Sequence, residues 1–154
     1  MDTVNAVTRS RIMRAVPRSD TVPELRLRHA LHRIGMRYRL HDRTLPGSPD
    51  IVFAGPRVAV FVHGCYWHRH QSCQLATTPK SNEDFWQKKF RDNVARDRRA
   101  VDGLEADGWE VVVVWQCEVL AAADLVARRI SSLISQRHLC LNRAEPMRRA
   151  GHGA

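Results

Sequence analysis

The loop formed by residues 63–73 constrains the fold of this chain more than any other segment. It holds three histidines, two cysteines and two adjacent aromatic residues, and it follows an apolar run that is typical of a buried strand. Thiolates and imidazoles are the ligands that tetrahedral zinc prefers, and imidazole also exchanges protons near neutral pH. Aromatic rings in a basic chain can stack on nucleic acid bases. The segment therefore predicts a loop at the end of a strand, suited to a metal, to proton transfer or to nucleic acid.

Four residues have the chemistry and spacing of a zinc site. The loop supplies Cys65, His70 and Cys73 in the pattern C-x4-H-x2-C, and Cys117 follows a later apolar run. Four ligands of this kind fill a tetrahedral shell, which is typical of structural rather than catalytic zinc. The alternative is that the loop cysteines bind no metal and that Cys117 packs at the end of its strand. Zinc is favoured because grouped cysteines in a reducing compartment more often hold a metal than form disulfides.

The charge balance indicates a polyanionic partner. The chain of 154 residues carries 25 Lys and Arg residues against 16 Asp and Glu residues, which gives a formal net charge of +9. Most of these cations are arginines, whose planar guanidinium suits phosphate. The alternative is an ordinary solvated surface with a basic tail. Nucleic acid is favoured because the positive charge is spread through the body of the chain.

The sequence shows no pattern for export or for membrane insertion. The N-terminus lacks the basic and apolar regions of a secretory signal. No apolar run approaches the ~20 residues that are needed to span a bilayer. We expect a cytoplasmic monomer.

The periodicity of apolar residues predicts an α/β fold. A helix is expected over residues 22–34, with Thr21 as its N-cap, Glu24 completing a capping box and Gly35 following its last turn. Residues 51–54 and 58–62 are near-continuous apolar runs that predict central strands covered on both faces, and residues 109–115 predict a third apolar strand. Further helices are expected over residues 81–107, capped by Ser81, and 120–137, with a brief strand near residues 38–40. This order predicts a single-domain α/β sandwich around a mixed central sheet.

Both ends of the chain are predicted to lie outside the folded domain, which spans residues 21–140. Residues 1–20 are expected to form a basic arm with at most a helical turn or two. Residues 141–154 are expected to form a basic, disordered tail.

Asp50 is the first candidate for a catalytic metal ligand. It stands at the start of a buried strand, after the rigid turn Leu45-Pro46-Gly47-Ser48-Pro49. A carboxylate in such a place can bind Mg²⁺, which takes one or two carboxylates together with phosphate oxygens and water. The alternative is that Asp50 caps the turn. His63 ends the next strand, so it is expected to lie beside Asp50 across the hairpin.

Asp97 lies on the apolar face of the long predicted helix. A buried carboxylate needs a partner, because an unpaired buried charge is costly. One candidate is a histidine of the loop, because a His–Asp pair fixes the tautomer of the imidazole and raises its basicity. A buried ion pair to an arginine is equally consistent with the spacing. The helix face on which Asp97 falls is formed by Phe90, Val94, Val101 and Leu104.

Three aromatic residues are candidates for stacking on DNA. Tyr66 and Trp67 are adjacent in the loop, and Trp86 lies near the start of the long helix. Apolar side chains inserted between base steps can kink a duplex. The alternative is that these rings belong to the core. For Trp67 the two interpretations are balanced, and for Tyr66 and Trp86 the core is favoured.

Taken together, these residues resemble the very short patch repair (Vsr) DNA mismatch endonucleases. The resemblance covers residues 8–120, and its motifs are long and occur in the family's order. The chain departs from the family pattern at Tyr66, where phenylalanine is more usual. The motifs comprise residues 8–10 and 13–15, residues 45–50, residues 61–68, residues 85–86 and 93–98, and residues 108–118.

The resemblance implies a restriction-endonuclease-like fold and an enzyme that nicks double-stranded DNA beside a T·G mismatch. It implies that Asp50 and the main-chain carbonyl of Val62 bind the catalytic Mg²⁺, and that His68 is the general base. His63, Asp97 and Glu24 would be active-site partners, with Glu24 near the metal.

The resemblance also assigns the structural zinc to the four residues selected above by ligand chemistry, with His70 rather than His68 as the imidazole ligand. It implies that the mismatch is contacted by an aromatic wedge. The residues that it places on DNA are Tyr66, Trp67, Trp86, Asn93, Arg9, Met13 and Arg14.

Two other functions are compatible with parts of the sequence. A zinc-stabilised DNA-binding module without catalysis needs the zinc ligands and the arginines, but it does not need Asp50, His63, His68 and Asp97. A nuclease of the same fold that acts on duplex without a mismatch needs all of them. Because all four are present, the sequence favours an endonuclease.

Overall fold

The computed structural model describes residues 5–149, in which helices and strands follow the predicted α/β order. Within these residues, the one element that was not predicted is a helix in the basic N-terminal arm. The elements are α1 (Ala6–Ala15), α2 (Val22–Arg33), β1 (Arg39–Leu40), β2 (Ile51–Phe53), β3 (Val58–His63), α3 (Glu83–Ala106), β4 (Glu110–Trp115) and α4 (Gln116–Arg149).

The four strands form one mixed sheet in the order β1-β2-β3-β4. β2 pairs antiparallel with both β1 and β3, whereas β3 and β4 are parallel. The predicted mixed sheet is therefore confirmed. The parallel register sets His63 opposite Trp115, so the chain leaves β3 and β4 at the same edge. This edge is where the loop of residues 64–73 meets Cys117.

Side chains of β3 alternate between two apolar cores, as the period of a strand requires. Val58 and Val60 pack in the core formed with α2 and α4. Ala59 and Phe61 pack on the opposite face, against Ala100 and Leu104 of α3. Helices thus cover both faces of the sheet, which explains why β2 and β3 are almost continuously apolar.

The basic N-terminal arm is more ordered than predicted. α1 has ten residues, whereas at most a helical turn or two was expected. Its N-cap is Asn5, whose side-chain oxygen accepts a hydrogen bond from the backbone N–H of Thr8 at 2.8 Å. This bond satisfies one of the free N–H groups at the helix start. Residues 1–4 of the predicted arm lie outside the described residues.

The long helix α3 begins one residue later than predicted. Its N-cap is Asn82 rather than Ser81, and Asn82 adopts the left-handed conformation with φ of 54°. Asparagine tolerates this conformation better than most residues. The helix ends at Ala106, and Gly108, two residues later, has φ of 82°.

Helix α4 is longer than predicted at both ends. It begins at Gln116, directly after β4, bends at Ala122 (φ −157°, ψ 68°) and continues to Arg149. Residues 141–149, which were assigned to a disordered tail, are therefore helical. Residues 138–145 contain no glycine or proline that would end the helix after the predicted boundary. Residues 150–154 lie outside the described residues. No helix within residues 5–149 is long and apolar enough to cross a membrane.

Candidate active site and metal cluster

Asp50 is held at the entrance of the hairpin between β2 and β3. Its backbone N–H donates to the carbonyl of Val60 at 3.0 Å, and its Oδ2 accepts a hydrogen bond from the backbone N–H of Val62 at 2.7 Å. Burial raises the pKa of the Asp50 carboxyl to about 6, although the Val62 bond opposes this shift. A carboxylate that is costly to ionise gains stability from a cation. Asp50 is therefore suited to bind a divalent metal.

The turn before Asp50 packs tightly against α3. Gly47 has φ of 73°, a conformation that side chains other than glycine rarely adopt. A Cβ added at Gly47 would overlap the Cβ of Ala100 and lie 3.2 Å from the ring of Phe61. Ala100 lies one helical turn after Asp97. The contact therefore fixes the turn that carries Asp50 relative to the helix that carries Asp97.

His68 and Asp97 form a close pair. His68 Nδ1 lies 2.6 Å from Asp97 Oδ2, and both side chains are about one-fifth exposed, at 23% and 19%. Of the two partners left open by the sequence, the loop histidine is therefore correct and the arginine is not. Because a carboxylate accepts hydrogen bonds, Nδ1 is the nitrogen of His68 that donates to Asp97. Nε2 is then the ring nitrogen left to exchange a proton with another group.

The predicted apolar face around Asp97 is only partly correct. Phe90 and Leu104 are buried, but Val94 is 43% exposed. The contact to the sheet is completed by Ala100 instead. The helical spacing alone therefore did not show which residues of this face are buried.

His63 packs flat against His68. The two rings are 3.9 Å apart between centroids and nearly parallel, at 8°. Burial, and then the neighbouring His68, lower the pKa of His63 to about 4. His63 is therefore neutral at pH 7. The residue is also buried, with 8% of its surface exposed. His68 is the more accessible ring and the one with a carboxylate partner, so the arrangement favours it as the base.

Glu24 lies beside Asp50 but does not form the predicted capping box. Thr21 is the N-cap of α2 as predicted, yet it makes no side-chain cap hydrogen bond. The carboxylate of Glu24 is 2% exposed and pairs with Arg28, and it lies 3.1 Å from His41 Nε2. The opposite nitrogen of His41 lies 4.0 Å from Asp50 Oδ1. A buried ionic partner outweighs the backbone cap that the sequence suggested.

The four predicted zinc ligands come together at the shared edge of β3 and β4. One ligand atom from each of Cys65, His70, Cys73 and Cys117 lies within 4.8 Å of the others. His70 Nδ1 is 3.3 Å from Cys117 Sγ and 3.6 Å from Cys65 Sγ. His70, not His68, is the imidazole of this cluster, and its ring stacks on Trp115 at 4.3 Å. The donor set suits a tetrahedral metal.

The thiols of this cluster differ in acidity. Burial raises the pKa of Cys65 to about 12. Hydrogen bonding from the backbone N–H of Leu75 lowers the pKa of Cys73. Three thiols so close together cannot all ionise without a compensating cation, because like charges repel. A metal cation bound here could hold them as thiolates.

The aromatic residues form a cluster over the start of α3. Trp86 is buried, at 6% exposed, as the core interpretation predicted. Tyr66 and Trp67 are partly exposed, and their rings meet edge to face at 5.0 Å. The ammonium group of Lys89 lies 5.5 Å from the Trp67 ring. Trp67 is thus accessible beside a basic side chain. The ring of the buried Trp86 packs against it, with 6.2 Å between the ring centroids.

The chain matches known proteins along most of its length. Residues 1–75 match the family model described as DNA mismatch endonuclease Vsr. The type II nicking enzyme V.XorIIP of Xanthomonas oryzae pv. oryzae is 46% identical over 127 residues, which cover 82% of this chain and 93% of that protein. The DNA mismatch endonuclease Vsr of Escherichia coli is 37% identical over 135 residues, covering 88% and 86%. The chain belongs to the Vsr family. It is a DNA endonuclease.

Membership of the Vsr family gives a context for the N-terminal helix and α3. Arg9 of α1 donates to the hydroxyl of Ser81 at 2.7 Å, which ties α1 to the segment before α3. On α1, Met13 is partly exposed and Arg14 exposed. Asn93 donates to the carbonyl of Trp67 at 3.4 Å. The residues that the Vsr resemblance places on DNA therefore lie on α1, on the loop and on α3.

Two residues of this Vsr-family site were not found from the sequence. Arg28 and His41 lie next to the predicted Glu24 and Asp50. Neither belongs to a motif with a characteristic spacing, and Arg28 is one of many arginines. The available signal was the i, i+4 spacing of Glu24 and Arg28 on a helix, which favours an ion pair. The position of His41 follows only from the pairing of β1 with β2.

Proposed function

We propose that this Vsr-family endonuclease nicks one DNA strand beside a T·G mismatch, with Mg²⁺ bound at Asp50 and His68 as the general base. The observation that carries this proposal is the His68–Asp97 pair, set close enough to Asp50 to affect its pKa. A metal carboxylate and an oriented base are the two parts that metal-assisted phosphodiester hydrolysis requires.

His68 supplies the base in this mechanism. Asp97 holds the proton on Nδ1, so Nε2 of His68 is left to accept the proton of the attacking water. Asp97 also stabilises the imidazolium that results. His63 stacks on the ring of His68 and, being neutral, adds no charge that would compete for the proton.

The residues proposed to hold Mg²⁺ are Asp50 and the main-chain carbonyl of Val62, with Glu24 nearby. Oxygen donors of this kind suit a hard cation. When bound, Mg²⁺ would stabilise the charge that develops on the phosphate. Asp50 is fixed by the Val62 N–H, and the tight contact of Gly47 with Ala100 keeps Asp50 in register with the base.

A zinc ion held by Cys65, His70, Cys73 and Cys117 is proposed to brace the loop. The loop reaches from β3 to the start of α4 through this cluster. His68 lies between Cys65 and His70 in the sequence, so the same ion restrains the backbone that carries the base.

Mismatch recognition is proposed to use Trp67 as the inserted ring, with Tyr66 beside it and Trp86 supporting both. Unstacking a duplex costs a few kcal/mol, and it costs least at a weakened pair. A partly exposed ring backed by buried rings is suited to insertion, since the protein need not rearrange to present it. Arg9, Met13, Arg14 and Asn93 would contact the duplex around this point, within a restriction-endonuclease-like arrangement of the domain.

The test is a nicking assay on three duplexes that differ only at one base pair, which is T·G, T·A or C·G. Each duplex is assayed with Mg²⁺ and with EDTA. We expect a single nick beside T·G, only with Mg²⁺, and none with Asp50→Asn. Asp102→Asn on the exposed side of α3 is the control and should nick as the parent does. Equal nicking of the T·A duplex would instead show a nuclease for unmismatched DNA. Binding without nicking under any divalent metal would show a DNA-binding module.

A further inference from the structure

A charged group beside Asp50 is built around Arg28 of α2. The side chain of Arg28 is 11% exposed and makes three polar contacts at its end. It donates to Asp20 Oδ1 at 2.7 Å, to Glu24 Oε1, and to His41 Nε2 at 2.7 Å. Its own backbone carbonyl accepts a hydrogen bond from the Tyr38 hydroxyl at 3.0 Å. Arg28 therefore joins α2 to the segments on either side of β1.

The three partners of Arg28 have the donor types of a cation site. Ligand atoms of Asp20, Glu24 and His41 lie within 4.8 Å of one another. The guanidinium of Arg28 contacts all three of these residues, so a positive charge already occupies the place where a metal ion would bind them. This explains how the buried carboxylate of Glu24 is tolerated close to a second carboxylate, that of Asp50.

The contacts also fix the ring of His41. A guanidinium has only donors, so His41 Nε2 accepts from Arg28 and the ring is locked by this bond. The backbone N–H of His41 donates to the carbonyl of Asp50 at 3.1 Å. His41 Nδ1 is then directed toward Asp50 Oδ1, at 4.0 Å. A chain of contacts thus runs from Arg28 through His41 to the proposed metal carboxylate.

We propose that Arg28 is a positioning residue of the nuclease site, and that its guanidinium serves as the resident cation of the Asp20–Glu24–His41 group. It holds Glu24 and His41 beside Asp50 and excludes a divalent ion from the group, so that the metal binds at Asp50. This inference rests on the proposed function only for the role of Asp50. The exclusion of an ion follows from the contacts of Arg28 alone.

The experiment counts bound Mn²⁺ by electron paramagnetic resonance in the parent chain and in Arg28→Met, at one fixed pH above 7. Mn²⁺ accepts the same oxygen and imidazole donors as Mg²⁺ and is directly observed. We expect Arg28→Met to bind one more Mn²⁺ than the parent and to nick more slowly at saturating Mg²⁺, on the order of 10²-fold, because Glu24 and His41 lose their fixed positions. In the double variant Arg28→Met with Glu24→Gln, the additional Mn²⁺ should no longer bind.

Two further variants keep the test decisive. Arg28→Lys keeps the charge but not the planar fork, so it should bind no extra Mn²⁺ and still nick more slowly than the parent. Arg26→Met, on the exposed side of the same helix, should match the parent in both measurements. The proposal is overturned if Arg28→Met binds no extra Mn²⁺ or keeps the parent rate. If Arg28→Met does not fold, an extra Mn²⁺ or the parent rate in Arg28→Lys overturns it. A separate measurement tests the proposed function. If the parent and Asp50→Asn bind the same number of Mn²⁺ ions, Asp50 does not hold the metal and the proposed function fails.

Discussion

Nδ1 of His68 lies 2.6 Å from Oδ2 of Asp97, and this pair joins the loop after β3 to the middle of α3. The loop is only partly buried and α3 is a regular helix. The candidate base, which the loop carries, is therefore oriented by a residue of α3. The consequences of this pairing can be measured directly.

Asp97→Asn should slow nicking without preventing folding. An amide at this position can donate to Nδ1, which favours the tautomer with its proton on Nε2 and removes the lone pair needed for proton transfer. Loss of an oriented base costs about 10²–10⁴ in rate. Single-turnover nicking at saturating Mg²⁺ measures this, with Asp102→Asn as the matched control. A rate within threefold of the control would contradict the role of Asp97.

Asp50→Asn should stabilise the protein while abolishing nicking. The folded-state pKa of Asp50 is raised from 3.8 to about 6. Above pH 6 the carboxyl is ionised in both states, and the folded state carries the cost of the buried charge. Below about pH 4 it is protonated in both states and the cost disappears. We expect a gain of about 1–3 kcal/mol at pH 7.5, in metal-free buffer, since one pKa unit corresponds to about 1.4 kcal/mol.

The pH dependence identifies the cause of this gain. The difference in unfolding free energy between Asp50→Asn and the parent should shrink from pH 6 to pH 4, as followed by urea denaturation. A difference that is unchanged across this range would mean that the carboxyl is not desolvated. Asp102→Asn again serves as the control, because its carboxylate is exposed in α3.

Cys117→Ser should lose the zinc and destabilise the fold by several kcal/mol, because metal binding to a structural site contributes directly to folding. Cys140→Ser is the control, since Cys140 is exposed on α4 and outside the cluster. Zinc content by mass spectrometry and thermal unfolding are the measurements. A parent chain that purifies folded and free of zinc would contradict the assignment of this cluster.

Trp67→Ala should weaken binding to a T·G duplex more than binding to a T·A duplex. Stacking on a base contributes roughly 1–3 kcal/mol, which corresponds to about five- to a hundred-fold in affinity. The basic residues that contact phosphate are unchanged, so the salt dependence should stay the same. Trp67→Phe retains a stacking face and should recover part of the preference. Equal losses on both duplexes would show that Trp67 acts as a core residue.

Much of this site could be predicted because its chemistry is local in sequence. The loop places Cys65, His68 and His70 within six residues. Cys117, which follows the end of an apolar run, supplies a ligand of the cluster from a distant part of the chain. The apolar runs predicted the mixed sheet and its buried strands for the same reason. Asp97 required one further step, which was that a polar residue on an apolar helix face needs a partner.

The contacts of Arg28 could not be predicted in the same way. They depend on contacts between α2 and the residues on either side of β1, and on the left-handed conformation of His41, which has φ of 47°. Neither feature has a sequence period. Glu24 illustrates the difference, because a local rule predicted a capping box and a tertiary contact formed in its place. The continuation of α4 beyond residue 137 was missed because charge composition is a weak guide to helix ends.

Gly47 and Ala100 share one volume between the turn and α3. Since the side chain absent from one is replaced by the methyl group of the other, neither position can grow unless the other element moves. Such a movement would change the distance between the turn that carries Asp50 and the helix that carries Asp97. The small size of these two residues thus sets the distance between the turn and α3. Substitutions at either position are therefore limited by the geometry of the proposed reaction as well as by the packing of the core.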